Sequence, residues 1–226
     1  MSTFVLVHGA GHGAWCWELT ERDLAEHGHR SVSLDLPLTG LEEDAATVRD
    51  CLDTVPESVI LVGHSYGGLV ISKAAGGRSD IEHLVYVAAI LVGADENIMS
   101  LAGDYPASPL MEKIEYTPEG FMVFSPETTI SCLYNETPVD FATMASTRMR
   151  PTAALGMATN PGADPWRSIP TTYIVCERDR TLPPELQRAM ATKAGRVESI
   201  DTDHSPFASR PEEFYGILAG VAGDSA

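Results

Sequence analysis

Val59-Ile60-Leu61-Val62-Gly63-His64-Ser65-Tyr66-Gly67-Gly68 joins an apolar run of strand length to the helix-like Leu69–Ala75. The turn between them has the pattern Gly-x-Ser-x-Gly in strand–turn–helix context. A residue at the centre of such a turn sits on strained backbone, and glycine on either side lets helix and strand approach closely. The turn also sets Ser65 at a helix N-terminus, where the dipole favours developing negative charge. Ser65 is therefore a candidate nucleophile, carried by a strand–turn–helix unit.

The same rhythm continues on both sides of this unit. Candidate strands are Phe4–His8, Ser31–Asp35, Ser58–Gly63, His83–Ala88, Thr171–Cys176 and Arg196–Ile200. They are rich in Val, Ile and Leu without strict alternation, as strands buried on both faces should be. Candidate helices fall at Trp15–His27, Glu42–Thr54, Tyr66–Gly76, Pro184–Lys193 and Pro211–Val221. Alternating strand and helix predicts an α/β fold, with about six mainly parallel strands and helices on both faces.

Residues 94–160 break the rhythm. They hold six of the eight methionines and six aromatic residues, but no convincing parallel strand. A structureless loop of that length is improbable in a compact domain. The segment is expected to be an inserted lid of short helices and a small hairpin, with 1–93 and 161–226 forming the core. Phe121 and Phe124 within it, with His12 from the first glycine-rich loop, are candidate substrate contacts.

A serine hydroxyl is a poor nucleophile until a base accepts its proton. Of seven histidines, His204 in Asp203-His204-Ser205 follows the last candidate strand, and it alone follows every plausible acid in the order serine, acid, histidine. The others have more ordinary readings: His27 and His29 at a helix end, His64 packed within the turn, His83 at a strand start and His8 structural. For the acid that orients the imidazole, Asp179 after Thr171–Cys176 is favoured over Glu177, Asp201 and Asp203. Asp95, after the strand that precedes the lid, is the alternative.

Gly9-Ala10-Gly11-His12-Gly13-Ala14 follows the first strand and fits Gly-x-Gly-x-x-Gly/Ala, with Asp35 closing the next strand. On paper that is a dinucleotide fingerprint and raises an oxidoreductase reading. Trp15 and Trp17 are awkward near a phosphate, and that reading leaves Ser65 and His204 unexplained. A hydrolase uses the loop differently. The backbone N–H of Ala10 joins that of Tyr66 to form an oxyanion hole. His8 and His12 lack a third ligand for a metal.

Composition narrows the partners. Charged residues are 21% of the chain and hydrophobic ones 44%, and the formal charge is −17. Such a surface repels nucleic acid and anionic lipid and suits neutral small molecules. Cys16, Cys51, Cys132 and Cys176 lack the spacing of a zinc or disulfide framework and read as free thiols in a reducing compartment. No signal peptide or membrane-length apolar run is read, so a cytoplasmic location is expected. A homodimer is compatible with all of this.

Several stretches together resemble a known group. They are Phe4-Val5-Leu6-Val7-His8-Gly9-Ala10 with Gly13-Ala14-Trp15-Cys16-Trp17, then Gly63-His64-Ser65-Tyr66-Gly67-Gly68, then Tyr173-Ile174-Val175-Cys176-Glu177-Arg178-Asp179, then Asp203-His204. They are similar to the small plant-type methylesterase and hydroxynitrile lyase group of α/β hydrolases, with its bacterial esterase relatives. The resemblance covers both halves of the core and not residues 94 to about 160. It implies an α/β-hydrolase fold lacking that fold's first two strands, a Ser65–His204–Asp179 triad, the Ala10–Tyr66 oxyanion pair and no cofactor. Lyases of the group carry Thr where this chain has Ala10, and Lys where it has Ser205, so the resemblance implies ester hydrolysis. The function expected is a serine esterase acting through an acyl-enzyme on a small, largely apolar ester. A hydroxynitrile lyase-like or other cofactor-free lyase, or a non-catalytic small-ligand receptor, are the alternatives.

Overall fold

The structure, a computed structural model, describes residues 1–224. Strand β1 (Thr3–Val7) leads through a 3-10 turn, Ala14–Trp17, into α1 (Glu18–Glu26), so the single helix expected over Trp15–His27 is split in two. Then follow β2 (Arg30–Leu34), α2 (Leu41–Leu52), β3 (Val59–His64), α3 (Tyr66–Ala74) and β4 (Ile81–Val87). The interval between β4 and the next core strand carries α4 (Ile98–Ala102), β5 (Glu115–Tyr116), β6 (Phe121–Val123), α5 (Pro126–Thr128), a π-helical turn at Thr129–Leu133, α6 (Val139–Ser146), β7 (Thr152–Ala153) and α7 (Ala154–Met157). The core resumes with β8 (Thr171–Cys176), α8 (Pro184–Ala191), β9 (Arg196–Ile200), α9 (Pro206–Ser209) and α10 (Pro211–Ala222). Strands β8 and β9 keep the bounds expected from sequence, and the other four lie within two residues of theirs.

The six core strands form one sheet in the order β2-β1-β3-β4-β8-β9, every neighbouring pair parallel. Side chains alternate across it with the period of two that a strand imposes. Val5, Val7, Leu61, Leu84, Tyr86, Tyr173 and Val175 enter one buried cluster, together with residues of α2, α3 and α8. Phe4, Leu6, Ile60, Val62, Val85, Val87 and Ile174 enter the other, with Leu24 of α1 and Phe214 and Leu218 of α10. Each such side chain contributes about 1.5–3 kcal/mol when fully buried, so two clusters on one sheet hold its strand ends rigidly.

Strands β5, β6 and β7 form a separate antiparallel sheet. The inserted segment has no cluster of its own. Met122 joins the first core cluster, and Leu110, Cys132, Leu133 and Tyr134 join the second. Among the described residues no helix is long and apolar enough to cross a membrane.

Candidate active site

Ser65 stands between the end of β3 and the start of α3 with φ 54° and ψ −121°, a conformation that costs a non-glycine residue energy. The surrounding glycines show why the turn is built this way. A Cβ on Gly63 would lie 2.6 Å from the Gly67 carbonyl oxygen, and one on Gly67 would lie 2.6 Å from that of Val7. Hydrogen bonds then fix the strained residue: its N–H donates to the Val87 carbonyl at 3.1 Å, and its own carbonyl accepts from Gly68 and Ile90 at 3.0 Å.

His204 and Asp179 come from the loops after β9 and β8, which the sheet brings side by side. Asp179 Oδ2 accepts from His204 Nδ1 at 2.6 Å, with both side chains shut off from solvent. Asp179 Oδ1 accepts from the N–H groups of Thr181 and Leu182 at 2.6 and 2.9 Å. The rival acids are elsewhere. Asp95 is exposed, Asp201 pairs with Arg178 and Glu177 with Arg188. Asp203 is buried but accepts from Ser205 N–H, Ser209 Oγ, Glu136 N–H and Thr137 Oγ1.

Gln187 of α8 was not singled out from sequence. Its Nε2 donates to Asp179 Oδ2 at 2.8 Å and to the Leu182 carbonyl at 2.6 Å, while its Oε1 accepts from Cys176 N–H at 3.0 Å. The only advance sign is a polar residue on the apolar side of α8, between Leu186 and Met190. His64 likewise does more than pack: its Nε2–H donates to the His204 carbonyl at 2.9 Å. Burial, and secondarily His204, hold His64 well below the usual imidazole range, so it is neutral.

The first glycine loop passes directly beneath Ser65, since a Cβ on Gly9 would sit 2.7 Å from Ser65 Cβ. Ala10 and Ser65 line the same cavity. Tyr66 is the first residue of α3, so its N–H has no intrahelical acceptor. The Tyr66 hydroxyl donates to Asp44 Oδ2 at 2.7 Å beneath the helix, and desolvation raises the Asp44 carboxyl above its usual range. Asp35, the residue a ribose would need, instead accepts from Ala14 N–H at 2.8 Å. Met149 and Phe124 cover Gly11 so closely that a Cβ there would meet them at 2.5 and 2.9 Å. The loop thus faces the inserted segment and leaves no open approach for a pyrophosphate.

His12, taken from sequence as a pocket residue, is absorbed by structure. Its Nδ1–H donates to the Ala10 carbonyl and its Nε2 accepts from the Tyr134 hydroxyl, both at 2.8 Å. Burial drives its pKa to about 3, and that of His8 to about 4. His8 Nδ1–H donates to the Gly9 carbonyl, and its Nε2 accepts from Leu36 N–H at 3.0 Å. Among the described residues no group of three His, Cys, Asp or Glu stands close enough to hold a metal ion.

Ser65, His204 and Ala10 share a cavity of about 140 Å³. That is close to the roughly 150 Å³ that accommodates a benzene ring. Its walls carry Met99, Met111, Met122, Phe124 and Met157 from the inserted segment and Leu182 and Leu186 from the core, and among the described residues no Asp, Glu, Lys or Arg. Phe124 lines the cavity. Phe121 is not a lining residue: in β6 the alternation of side chains sends Met122 into the cavity and Phe121 to the other face.

A strained serine turn, a buried histidine–carboxylate pair and an apolar cavity on one parallel sheet agree with what comparison finds. The model of the Alpha/beta hydrolase family matches residues 4–217. Methylesterase 18 of Arabidopsis thaliana is 30% identical, the match covering 97% of this chain and 96% of that protein. Methyl jasmonate esterase 1 of Vitis vinifera is 31% identical, over 96% of this chain and 95% of its own. The crystal structure of polyneuridine aldehyde esterase superposes with a TM-score of 0.87 at 23% identity, over 98% of this chain and 99% of that one, which attests the fold. The chain belongs to the alpha/beta hydrolase family.

Proposed function

We propose that this chain is a serine esterase that hydrolyses a carboxylic ester of a small, largely apolar molecule through an acyl-enzyme. One observation carries the reading: a serine on strained backbone opens into the same uncharged cavity as a histidine whose far nitrogen is bound at 2.6 Å by a buried carboxylate. With Nδ1–H donated to Asp179, His204 keeps Nε2 as the free basic atom. His204 takes the Ser65 proton as Oγ attacks the ester carbonyl, and returns it to the departing alcohol. Water, activated by the same ring, then releases the acid. The backbone N–H groups of Ala10 and Tyr66 receive the oxyanion, aided by the dipole of α3.

Cavity chemistry supports the substrate class. Walls rich in Met, Leu, Ile and Phe reward apolar groups and, among the described residues, carry no Asp, Glu, Lys or Arg as countercharge to an ionised one. Relatives named methylesterase and methyl jasmonate esterase support a small alcohol as the leaving group. Residues 94–160 serve in this reading as the lid, supported by the large apolar side chains they place in the cavity wall, Met99, Met111, Met122, Phe124 and Met157 among them. The unpaired thiols, three of them buried, support the cytoplasm as its compartment.

The test is turnover of p-nitrophenyl esters from acetate to octanoate by wild type and Ser65→Ala. Turnover that disappears in the variant is the expected result, and the chain-length profile sizes the cavity. A folded wild-type protein inert toward every ester would overturn the proposal.

A further inference from the structure

The loop that offers the Ala10 N–H is held partly by its own contacts, from His12 to Gly9 and Ala10, and partly by residues far along the chain. Gly11 is gripped at both of its peptide groups. Its N–H donates to Thr152 Oγ1 at 2.8 Å, and its carbonyl accepts from Arg150 N–H at 2.8 Å. The Ala10 carbonyl accepts from His12 Nδ1–H, and the other side of that ring accepts from the Tyr134 hydroxyl. The Arg150 guanidinium donates to the His12 carbonyl at 2.9 and 2.7 Å and to the Leu36 carbonyl at 3.1 Å. Tyr134, Arg150 and Thr152 all belong to the inserted segment. The Ala10 N–H is left with no acceptor among the described residues.

We infer that Tyr134, Arg150 and Thr152 are positioning residues for catalysis: the inserted segment fixes the loop so that the Ala10 N–H points at the oxyanion before substrate arrives. This rests on the esterase reading. Among the described residues both hydrogen bonds on the Gly11 peptide groups come from Arg150 and Thr152, and Gly11 itself sits at φ 75°, a conformation open mainly to glycine. Preorganised donors contribute most when the surrounding structure holds them still, since reorganisation then adds nothing to the barrier. A donor misplaced by about 1 Å from a distant change lowers rates by up to about a hundredfold.

The test uses variants that remove a hydroxyl and keep its shape, Thr152→Val and Tyr134→Phe, beside Thr152→Ser, which keeps the hydroxyl and loses volume. Each is assayed with p-nitrophenyl butyrate and with an alkyl trifluoromethyl ketone. In the ketone adduct Ser65 Oγ bonds to the carbonyl carbon, the carbonyl electron pair moves to oxygen, and His204 takes the serine proton. Expected are a fall in kcat of about ten- to a hundredfold for Val and Phe, an almost unchanged KM, and ketone inhibition weakened by the same factor. Thr152→Ser should stay within about threefold of wild type. A role in packing alone would give the reverse order, with Ser worse than Val and losses following Tm, and that result overturns the inference. Unchanged kcat in both Val and Phe variants overturns it as well. A wild-type protein that neither turns over the ester nor binds the ketone overturns the esterase reading itself, and this inference with it.

Discussion

The parallel sheet and the segment from 94 to 160 are assembled by different means. Sheet strands are five to seven residues long, and β1, β3 and β8 are buried at every position. Strands β5, β6 and β7 have two or three residues, and the segment's buried apolar side chains belong to the core's clusters. Polar contacts attach it as well. Asp203 accepts from Glu136 and Thr137, Thr181 Oγ1 donates to the Cys132 carbonyl, and Ala153 N–H donates to the Leu38 carbonyl. Apolar packing thus sets the sheet, whereas the segment joins it by apolar side chains and by hydrogen bonds together.

The largest effect that would sharpen this contrast lies wholly in the core. Asp179→Asn keeps the shape but turns His204 toward the wrong tautomer, and kcat should fall by about four powers of ten. Single-turnover hydrolysis of a p-nitrophenyl ester measures it. A loss below about tenfold would show that the buried pair does not govern the chemistry.

Paired glycine substitutions come next. Gly67→Ala drives a methyl into the carbonyl oxygens of Val7 and His8 at 2.6 and 2.7 Å, so a loss of more than about 3 kcal/mol is expected in urea unfolding. If it is tolerated, the turn is not as tightly packed as the core argument needs.

Acid tests the seam between the two regions, where His8 and His12 lie. Burial lowers their pKa values from 6.5 to about 4 and about 3, so the folded protein keeps them neutral. Below the unfolded value the unfolded chain takes protons that the folded one refuses. Stability should be complete above pH 6.5 and decline as pH falls toward 4, by about 1.4 kcal/mol per unit for each histidine. Asp44 acts in the opposite sense, because its raised carboxyl pKa favours the fold in acid and offsets part of the loss. Thermal melts from pH 7 to 4 read the sum, and a flat Tm would mean the rings are not held neutral.

Gly120→Ala is the smallest of these effects. Gly120 has φ 84° in the tip between β5 and β6, with nothing within 4 Å of a new Cβ. Only backbone strain remains, about 1 kcal/mol. A cost as large as that of Gly67→Ala would abolish the distinction between the regions.

The same distinction explains what could be read in the sequence. Strands buried on two faces announce themselves as apolar runs, and the Ser65 turn carries its own glycine signature. Asp179 and His204 follow from chain order once those strands are placed. Phe121 and Met122 could not be told apart, because facing depends on the register of strands two or three residues long. His12 looked free because its partner, Tyr134, is 122 residues away. Gln187 was missed because its meaning lies in where α8 passes beneath Asp179. Local pattern encodes the elements, whereas long-range hydrogen bonds assign the polar side chains.

The double grip on Gly11 has a consequence for inheritance and engineering. A segment that only shaped the cavity could be exchanged between relatives as a module, altering taste without altering speed. Here the exchanged piece would also take away the partners of the Gly11 N–H and carbonyl. A chimera built at residues 94 and 160 should therefore arrive slow as well as retargeted. Its recovery should come from restoring the threonine whose hydroxyl meets the Gly11 N–H and the arginine whose guanidinium meets the His12 and Leu36 carbonyls.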